Sequence, residues 1–324
     1  RGKTKEAIPY LVKAVQDPEN LNNCVALSDE LPPEVRIDFL KRTEPRAHVQ
    51  SVVSPDCFEL TSAYGAPDFW GIIWTRPYMR LLGALAQTYI KIQNEAVERG
   101  CVRPTIEMLR LCESDNMGRR SWMGPILLHA GSPADALHFL RAWIEADGVP
   151  PHAGIDFASA NLDVDRAPMP PSVLKRVSKW NNLQMVHSAA LAAFTLDCNS
   201  ELARQYLHIA VSSNPAVMIK VLGKFKERVD GDIHPTRTSN GVEDTRDHLW
   251  LAQDLWTKPA VWDWISNDPV VKDAVLCTCS EPSCGRKEER IGQWQKCSGC
   301  KLVWYCSRTC QKMHWPEHKE PCKE

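Results

Sequence analysis

The sequence lacks the long apolar runs and the one-sided charge that mark two broad classes of protein. No run approaches the roughly 18 apolar residues that a membrane-spanning helix needs. The longest candidate, MVHSAALAAFTL, contains His187 and Ser188. The formal net charge is only -1, so no overall field draws the chain toward nucleic acid or an anionic membrane. Any partner must therefore be recognised by a local surface.

Strand-like alternation is almost absent from the first 275 residues, where helical periodicity takes its place. In TRPYMRLLGALAQTYIKIQ, one helical face carries Met79, Leu82, Ala86 and Tyr89. Further helices are predicted in RPTIEMLRLC, RRSWMGPILLHAG, PADALHFLRAWIEAD, SVLKRVSKWNNLQMVHSAALAAFTL, SELARQYLHIAVSS, NPAVMIKVLGKFKERV and EDTRDHLWLAQDLW. The pattern predicts a mainly α protein in which residues 1–275 form an all-α domain.

Three of these segments are similar to one another. AIPYLVKAV from Ala7, ALHFLRAW from Ala136 and ARQYLHIAV from Ala203 share an alanine followed by an aromatic-leucine pair. Ser132 and Ser200, which each open a predicted helix, are separated by about two of the 34-residue periods of tetratricopeptide repeats. The domain resembles a degenerate tetratricopeptide-like array, with an unrelated helical bundle as the alternative. Either arrangement is expected to bind another protein on a concave face.

The 13 cysteines form two populations. Five are scattered without framework spacing: Cys24, Cys57, Cys101, Cys112 and Cys198. They are typical of reduced thiols, so we expect an intracellular protein, without distinguishing cytoplasm from nucleus. The other eight lie in the last 48 residues: Cys277, Cys279, Cys284, Cys297, Cys300, Cys306, Cys310 and Cys322.

The clustered cysteines have the spacing of metal ligands. From Cys279 the pattern is C-x4-C-x12-C-x2-C-x5-C-x3-C-x7-H-x3-C, which supplies seven cysteines and His318, or two sets of four. So short a segment buries too little apolar surface to fold alone, and structural zinc contributes on the order of 10 to 16 kcal/mol. A disulfide knot and a redox C-x-x-C are the alternatives. We predict two zinc ions in closed, non-catalytic sites.

The stretch CSGCKLVWYCSRTCQKMHWPEHKEPC resembles the MYND-type zinc finger, and we assign residues 276–324 to such a domain. The resemblance implies one ion held by Cys279, Cys284, Cys306 and Cys310. It implies a second ion held by Cys297, Cys300, His318 and Cys322. The first pair is spaced C-x4-C where the family commonly has C-x2-C, which leaves Cys277 as an alternative to Cys279. His314 is expected not to be a ligand.

The resemblance also implies a partner, because fingers of this family bind short proline-containing peptides. The positions implied are Ser298, Gln311 and Trp315. A tryptophan face accommodates a proline ring, and a glutamine amide can satisfy peptide backbone groups. The alternative is that Trp315 packs the small core of the finger. Residues 277–324 contain nine Lys or Arg and six Asp or Glu, and this mixed charge argues against nucleic acid.

An enzyme has to be considered because MYND fingers also occur in SET-domain lysine methyltransferases. The Asn-His-Ser-Cys type motif and the strand-rich fold of those enzymes are missing from this sequence. Two acidic clusters, Asp163 with Asp165 and Asp244 with Asp247 and His248, lack a third anchored group and are expected to be caps or solvated faces. We therefore predict a non-enzymatic adaptor. The alternatives are an enzyme with an unrecognised site in the helical domain and a transcription-associated regulator.

Overall fold

The computed structural model describes residues 36–37, 69–71, 73–92, 99–112, 114–146, 164–179, 181–223 and 240–323. Within these ranges the protein is mainly helical, with twelve α-helices and one short hairpin. The chain divides into two compact units, Arg1–Ala203 and Arg204–Glu324. The finger therefore shares a unit with the helices that precede it, and the domain boundary near residue 275 stays a prediction.

Six of the described helices belong to the first unit. They are α1 (Arg76–Ile92), α2 (Val102–Leu111), α3 (Arg120–His129), α4 (Pro133–Ile144), α5 (Pro171–Lys179) and α6 (Leu183–Leu196). Helix α1 packs on α2, and α3, α4 and α6 pack on one another. Every residue of α6 from Leu183 to Phe194 is buried, because most of its residues are apolar and they occur on every side of the helix. This helix is the centre of the unit's core.

The single helix predicted over residues 172–196 was wrong, since the structure has two helices there. Helix α5 ends at Lys179 and α6 begins at Leu183. The Asn181 side chain donates to the carbonyl of Val177 (3.1 Å), and the Asn182 side chain accepts from the N–H of Met185 (3.0 Å). Adjacent asparagines that bond to the backbone favour a helix end over a helix interior.

The second unit contains the remaining described helices. Helix α7 (Glu201–Ser213) spans the division, and it is followed by α8 (Ala216–Leu222), α9 (Val242–Trp256), α10 (Pro259–Asn267) and α11 (Pro269–Val275). Helix α8 packs on α9 and α11. Trp256 is fully buried in α9 and donates from Nε1 to Nε2 of His248 at 2.9 Å. The core of this unit thus includes a hydrogen-bonded polar pair.

Helices α10 and α11 were not among the predicted helices, although each begins with a proline. Pro259 and Pro269 occupy the first helical position, where proline loses no hydrogen bond. Asp268 caps α11 by accepting from the N–H groups of Val270 (2.9 Å) and Val271 (3.0 Å). Both helices have only seven to nine residues, which is too short for a clear periodic pattern.

The repeat assignment stays a prediction. AIPYLVKAV lies outside the described residues, whereas the other two similar segments lie in α4 and α7. Their alanines, Ala136 and Ala203, are buried, as close helix packing requires. Ser200 accepts from the N–H of Ala203 at 3.2 Å, whereas Ser132 makes no capping hydrogen bond. None of the described helices is long and apolar enough to cross a membrane.

The end of the described chain has three small elements. Strands β1 (Gln295–Lys296) and β2 (Trp304–Tyr305) pair antiparallel, with Gln295 opposite Tyr305. Helix α12 (Arg308–His318) follows, and the side chain of Ser307 caps it by accepting from the N–H of Cys310 at 3.2 Å. These elements position the cysteine-rich site.

Candidate functional site

Two tight loops present the first cysteines of the site. The N–H of Cys279 donates to the carbonyl of Arg286 (2.8 Å), and the N–H of Cys297 donates to the carbonyl of Val303 (2.9 Å). The residue that follows the second cysteine of each loop, Gly285 or Lys301, has a positive φ of 58°. Each loop therefore turns sharply through a left-handed residue, which costs less at glycine than at lysine.

The structure gathers the eight predicted ligands into two groups. In each group the candidate ligand atoms all lie within 4.8 Å of one another. The first group contains Cys279, Cys284, Cys306 and Cys310. The second contains Cys297, Cys300, His318 and Cys322. The groups alternate in pairs along the chain, so each one closes a loop around ligands of the other.

The spacing of the sulfur atoms fits zinc. Sγ–Sγ distances are 3.6 Å for Cys284 and Cys306, 3.5 Å for Cys306 and Cys310, and 3.7 Å for Cys297 and Cys322. A tetrahedral ion with Zn–S bonds of about 2.3 Å separates its sulfurs by about 3.8 Å, whereas a disulfide needs about 2.05 Å. The two groups are suited to two zinc ions, and neither leaves a position for water, so the finger is not catalytic.

The thiol pKa values show why a cation suits these groups. Desolvation, followed by hydrogen bonds from neighbouring thiols, raises the pKa of Cys306 to about 12. A hydrogen bond from His318, followed by the N–H of Gly299, lowers the pKa of Cys297 to about 6. The protein alone thus favours the thiolate form of Cys297 and disfavours the thiolate form of Cys306. A divalent ion supplies the charge that would hold all seven sulfurs as thiolates.

Two further candidate ligands lie outside both groups. The Nδ1 atom of His314 lies 3.0 Å from the hydroxyl of Tyr305, so this ring supports the buried tyrosine of the finger's core. Cys277 donates its backbone N–H to Glu288 at 3.0 Å, and burial, followed by the Glu288 charge, raises the pKa of its thiol. The structure places Cys279 in the first group and leaves Cys277 outside it.

A groove of about 430 Å³ lies beside the second group. Its lining residues are Cys297, Ser298, Gly299, Arg308, Gln311, Lys312, Trp315 and Cys322. A β carbon at Gly299 would lie 2.8 Å from Sγ of Cys322. Only glycine therefore lets the backbone at this position lie so close to the second group of ligands. The three positions implied for peptide binding, Ser298, Gln311 and Trp315, all lie in this groove.

Trp315 is 42% exposed, so its ring is available on the groove and is not enclosed in the core. Arg308 and Lys312 also line the groove, and the sequence prediction did not include them. A helical wheel would have found them, because they share a face of α12 with Gln311 and Trp315.

The acidic clusters outside the finger have structural partners. Asp165 accepts from the N–H of Ala167 (2.9 Å) and pairs with Arg141 (3.2 Å). Asp244 accepts from the N–H of Asn240 (2.8 Å), and His248 accepts from Trp256. In the described part of the chain, no third group of His, Cys, Asp or Glu has the geometry of a metal site. Asp163 lies outside that part.

Comparison with known proteins adds the family of this segment. Residues 278–322 match the MYND finger family. An F-box protein of Arabidopsis thaliana is 41% identical over 61 residues, which is 18% of this chain and 18% of the relative. The SET domain and MYND-type zinc finger protein 6 of Schizosaccharomyces pombe is 48% identical over 61 residues, 19% of this chain and 11% of the relative.

A MYND-type zinc finger protein of Aspergillus clavatus, samB, is 41% identical over 44 residues, 14% of this chain and 7% of the relative. Each of these alignments spans less than a fifth of the relative's length. No solved structure matches the chain. Residues 278–322 are thus a MYND finger, a zinc-binding module for protein interaction.

Proposed function

We propose that this protein is a non-enzymatic adaptor whose finger captures a proline-containing peptide and whose helical region binds a second protein. The groove carries this proposal, because it brings Ser298 into one site with Gln311 and Trp315. Its volume of about 430 Å³ is within the range of specific binding sites. It accommodates a few residues of an extended peptide.

The chemistry of the three side chains supports a proline ligand. The exposed face of Trp315 offers flat apolar surface for a pyrrolidine ring. Neither the amide of Gln311 nor the hydroxyl of Ser298 has a hydrogen-bond partner within the described residues. An extended peptide presents backbone N–H and C=O groups that these polar side chains can bind. Proline keeps such a peptide extended before binding and so reduces the entropy cost.

We also propose that the two groups of four are the zinc ligands residue by residue. Cys297 and Cys322 belong to the second group and line the groove as well. Zinc therefore holds both walls of the peptide site in place. Metal binding and peptide binding are expected to be coupled, so a chelator should abolish peptide binding.

The peptide proposal is tested by titrating a labelled, uncharged Pro-x-Leu-x-Pro peptide into the zinc-loaded full chain by fluorescence anisotropy. We expect Trp315→Ala to weaken binding at least tenfold, because a tryptophan anchor contributes about 2 kcal/mol or more. Met313→Ala is the matched control, since Met313 is 57% exposed on the same helix and does not line the groove. Equal affinities for the two variants, or equal binding of a peptide without proline, would contradict the proposal.

The second partner is proposed for the helical region. Its support is the packing of α3, α4 and α6 into one stack, together with the resemblance to arrays that bind proteins. Pull-downs from cell extract with the full chain and with Trp315→Ala separate the two sites. Proteins retained by both baits do not need Trp315, as a partner of the helical region requires, and the proposal fails if the variant retains none.

One relative bears on the alternative that this protein is an enzyme. A histone-lysine N-methyltransferase of Arabidopsis thaliana is 52% identical over 29 residues, or 6% of its length. We propose that this chain does not transfer methyl groups, because its family match is confined to the finger, residues 278–322, and the Asn-His-Ser-Cys type motif of such enzymes is missing from its sequence. Incubation with a histone peptide and S-adenosylmethionine tests this. Methyl incorporation that depends on the protein would overturn the proposal.

We place this function inside the cell. No cysteine in the described part of the chain forms a disulfide, which supports a reducing compartment.

A further inference from the structure

We infer that the peptide captured by this groove carries an acidic residue within three positions of its proline. This inference rests on the proposed peptide binding and adds a charge requirement to it. Two of the residues that line the groove, Arg308 and Lys312, are cationic, and none carries a carboxylate. A neutral proline peptide would leave both cations without a counterpart in the complex.

The two cations lie on the same helical face as the proposed proline anchor. Arg308, Gln311, Lys312 and Trp315 occupy positions i, i+3, i+4 and i+7 of α12, which share one face of a helix. With a rise of about 1.5 Å per residue, Lys312 and Arg308 lie about 4.5 Å and about 10.5 Å along the axis from Trp315. An extended peptide advances about 3.3 Å per residue. A carboxylate one to three residues from the proline therefore reaches these cations.

Neither cation is committed to the finger itself. Both side chains are exposed, and in the described part of the chain neither Arg308 nor Lys312 takes part in an ion pair. Arg308 is the first residue of α12, and the first turn of that helix contains no acidic residue. A cation at this position opposes the helix dipole, so local helix stability does not account for it. Binding of an acidic ligand would account for a cation at this position.

The charge of the finger favours a peptide over nucleic acid. Residues 277–324 hold nine basic and six acidic residues in mixture, whereas nucleic-acid sites usually contact several phosphates along a basic stripe. Two cations beside one exposed tryptophan match one or two carboxylates close to one apolar anchor. The groove therefore fits an acidic, proline-containing segment of a protein.

The test compares five peptides on the zinc-loaded full chain. They are the uncharged Pro-x-Leu-x-Pro peptide, two peptides with Asp within three residues of a proline on its N-terminal or its C-terminal side, and the two matching Asn peptides. We expect the better Asp peptide to bind about fivefold more tightly than its Asn counterpart at about 50 mM salt, because an exposed ion pair is worth up to about that factor. The preference should fall below about twofold at about 0.5 M salt.

Charge-reversal variants assign the effect to the groove. We expect Lys312→Glu and Arg308→Glu to reduce or abolish the preference for Asp over Asn while the uncharged peptide still binds. Arg290→Glu is the matched control, because Arg290 is an exposed cation of the finger outside the groove. It should keep the preference.

The outcomes separate this inference from the proposal beneath it. If no peptide binds, peptide capture itself fails. If the Asp and Asn peptides bind equally, peptide capture stands and the acidic requirement is wrong. Loss of the preference in Arg290→Glu to the same extent as in Lys312→Glu would also overturn it. Displacement of the Asp peptide by a single-stranded oligonucleotide at equal or lower concentration would show that the groove serves nucleic acid.

Discussion

Gly124 lies where three helices of the first unit meet, and its replacement by alanine should destabilise the protein. A β carbon at this position of α3 would lie 2.7 Å from Cβ of Ser188 in α6 and 3.0 Å from Cδ1 of Leu140 in α4. Carbon atoms in contact prefer about 3.5 to 4.0 Å. Because Cβ of Ser188 is fixed to its backbone, the added methyl group can be accommodated only if a helix moves.

The expected magnitude combines one gain and two costs. Replacing glycine by alanine inside a helix contributes about 1 kcal/mol of stability. Forcing an extra methyl group into a packed core costs about 1 to 3 kcal/mol. Pro125 follows directly, and a β carbon before proline is disfavoured in helical backbone. We therefore expect Gly124→Ala to reduce the free energy of unfolding by about 1 to 2 kcal/mol.

Gly83 in α1 is the matched control, since it is also a buried glycine inside a helix. The atom nearest to its added β carbon is Cε of Met117 at 2.9 Å, the end of a flexible side chain that can move aside. Gly83→Ala should therefore be neutral or stabilising by up to about 1 kcal/mol.

The assay is urea unfolding of the full chain, followed by far-UV circular dichroism, with the midpoint and slope compared among variants. The double variant Gly124→Ala with Ser188→Gly removes the close contact but keeps the proline effect. We expect a favourable coupling of about 1 kcal/mol in this cycle. An unfolding free energy for Gly124→Ala at or above that of the wild type, or a coupling near zero, would refute the reasoning.

Three further predictions concern pH, capping and metal. Burial lowers the pKa of His187 to about 4, whereas this side chain has a pKa near 6.5 in the unfolded chain. Between these values the unfolded chain binds a proton that the folded chain excludes, so about 3 kcal/mol of stability is lost as pH falls from about 6.5 to 4. His187→Gln should flatten this pH dependence of the unfolding free energy measured in urea. Asp268→Ala should cost about 1 to 2 kcal/mol of stability in the same assay, because it removes the α11 cap and the 2.9 Å contact with His208. Asp268→Asn should retain most of the cap, and equal losses in the two variants would exclude capping as the cause. Elemental analysis should find two zinc ions per wild-type chain and at most one in Cys300→Ser. The helical circular dichroism signal of this variant should be mostly retained, because α12 is the only helix in the described part of the finger. Two zinc ions in the variant would exclude Cys300 as a ligand.

The helices show what periodicity can and cannot predict. Helices α1 to α4 follow the predicted segments because their apolar positions recur at helical spacing over ten or more residues. The interruption between α5 and α6 was missed, since Asn181 and Asn182 end and begin helices through side-chain bonds that a periodic pattern does not contain. The short helices α10 and α11 depend on Pro259, Pro269 and the cap at Asp268.

By itself, the sequence determined that the chain ends in a two-zinc MYND finger after a mainly helical region. Ligand spacing is local chemistry, and seven cysteines with His318 fill two sets of four whatever surrounds them. Only the tertiary structure decided that Ser298 lies across a groove from Trp315, because packing of α12 against the Cys297–Cys300 loop joins positions distant in sequence. Helix α12 itself places Arg308 and Lys312 on the same face as that tryptophan, and the packing makes this face one wall of a groove with positive charge.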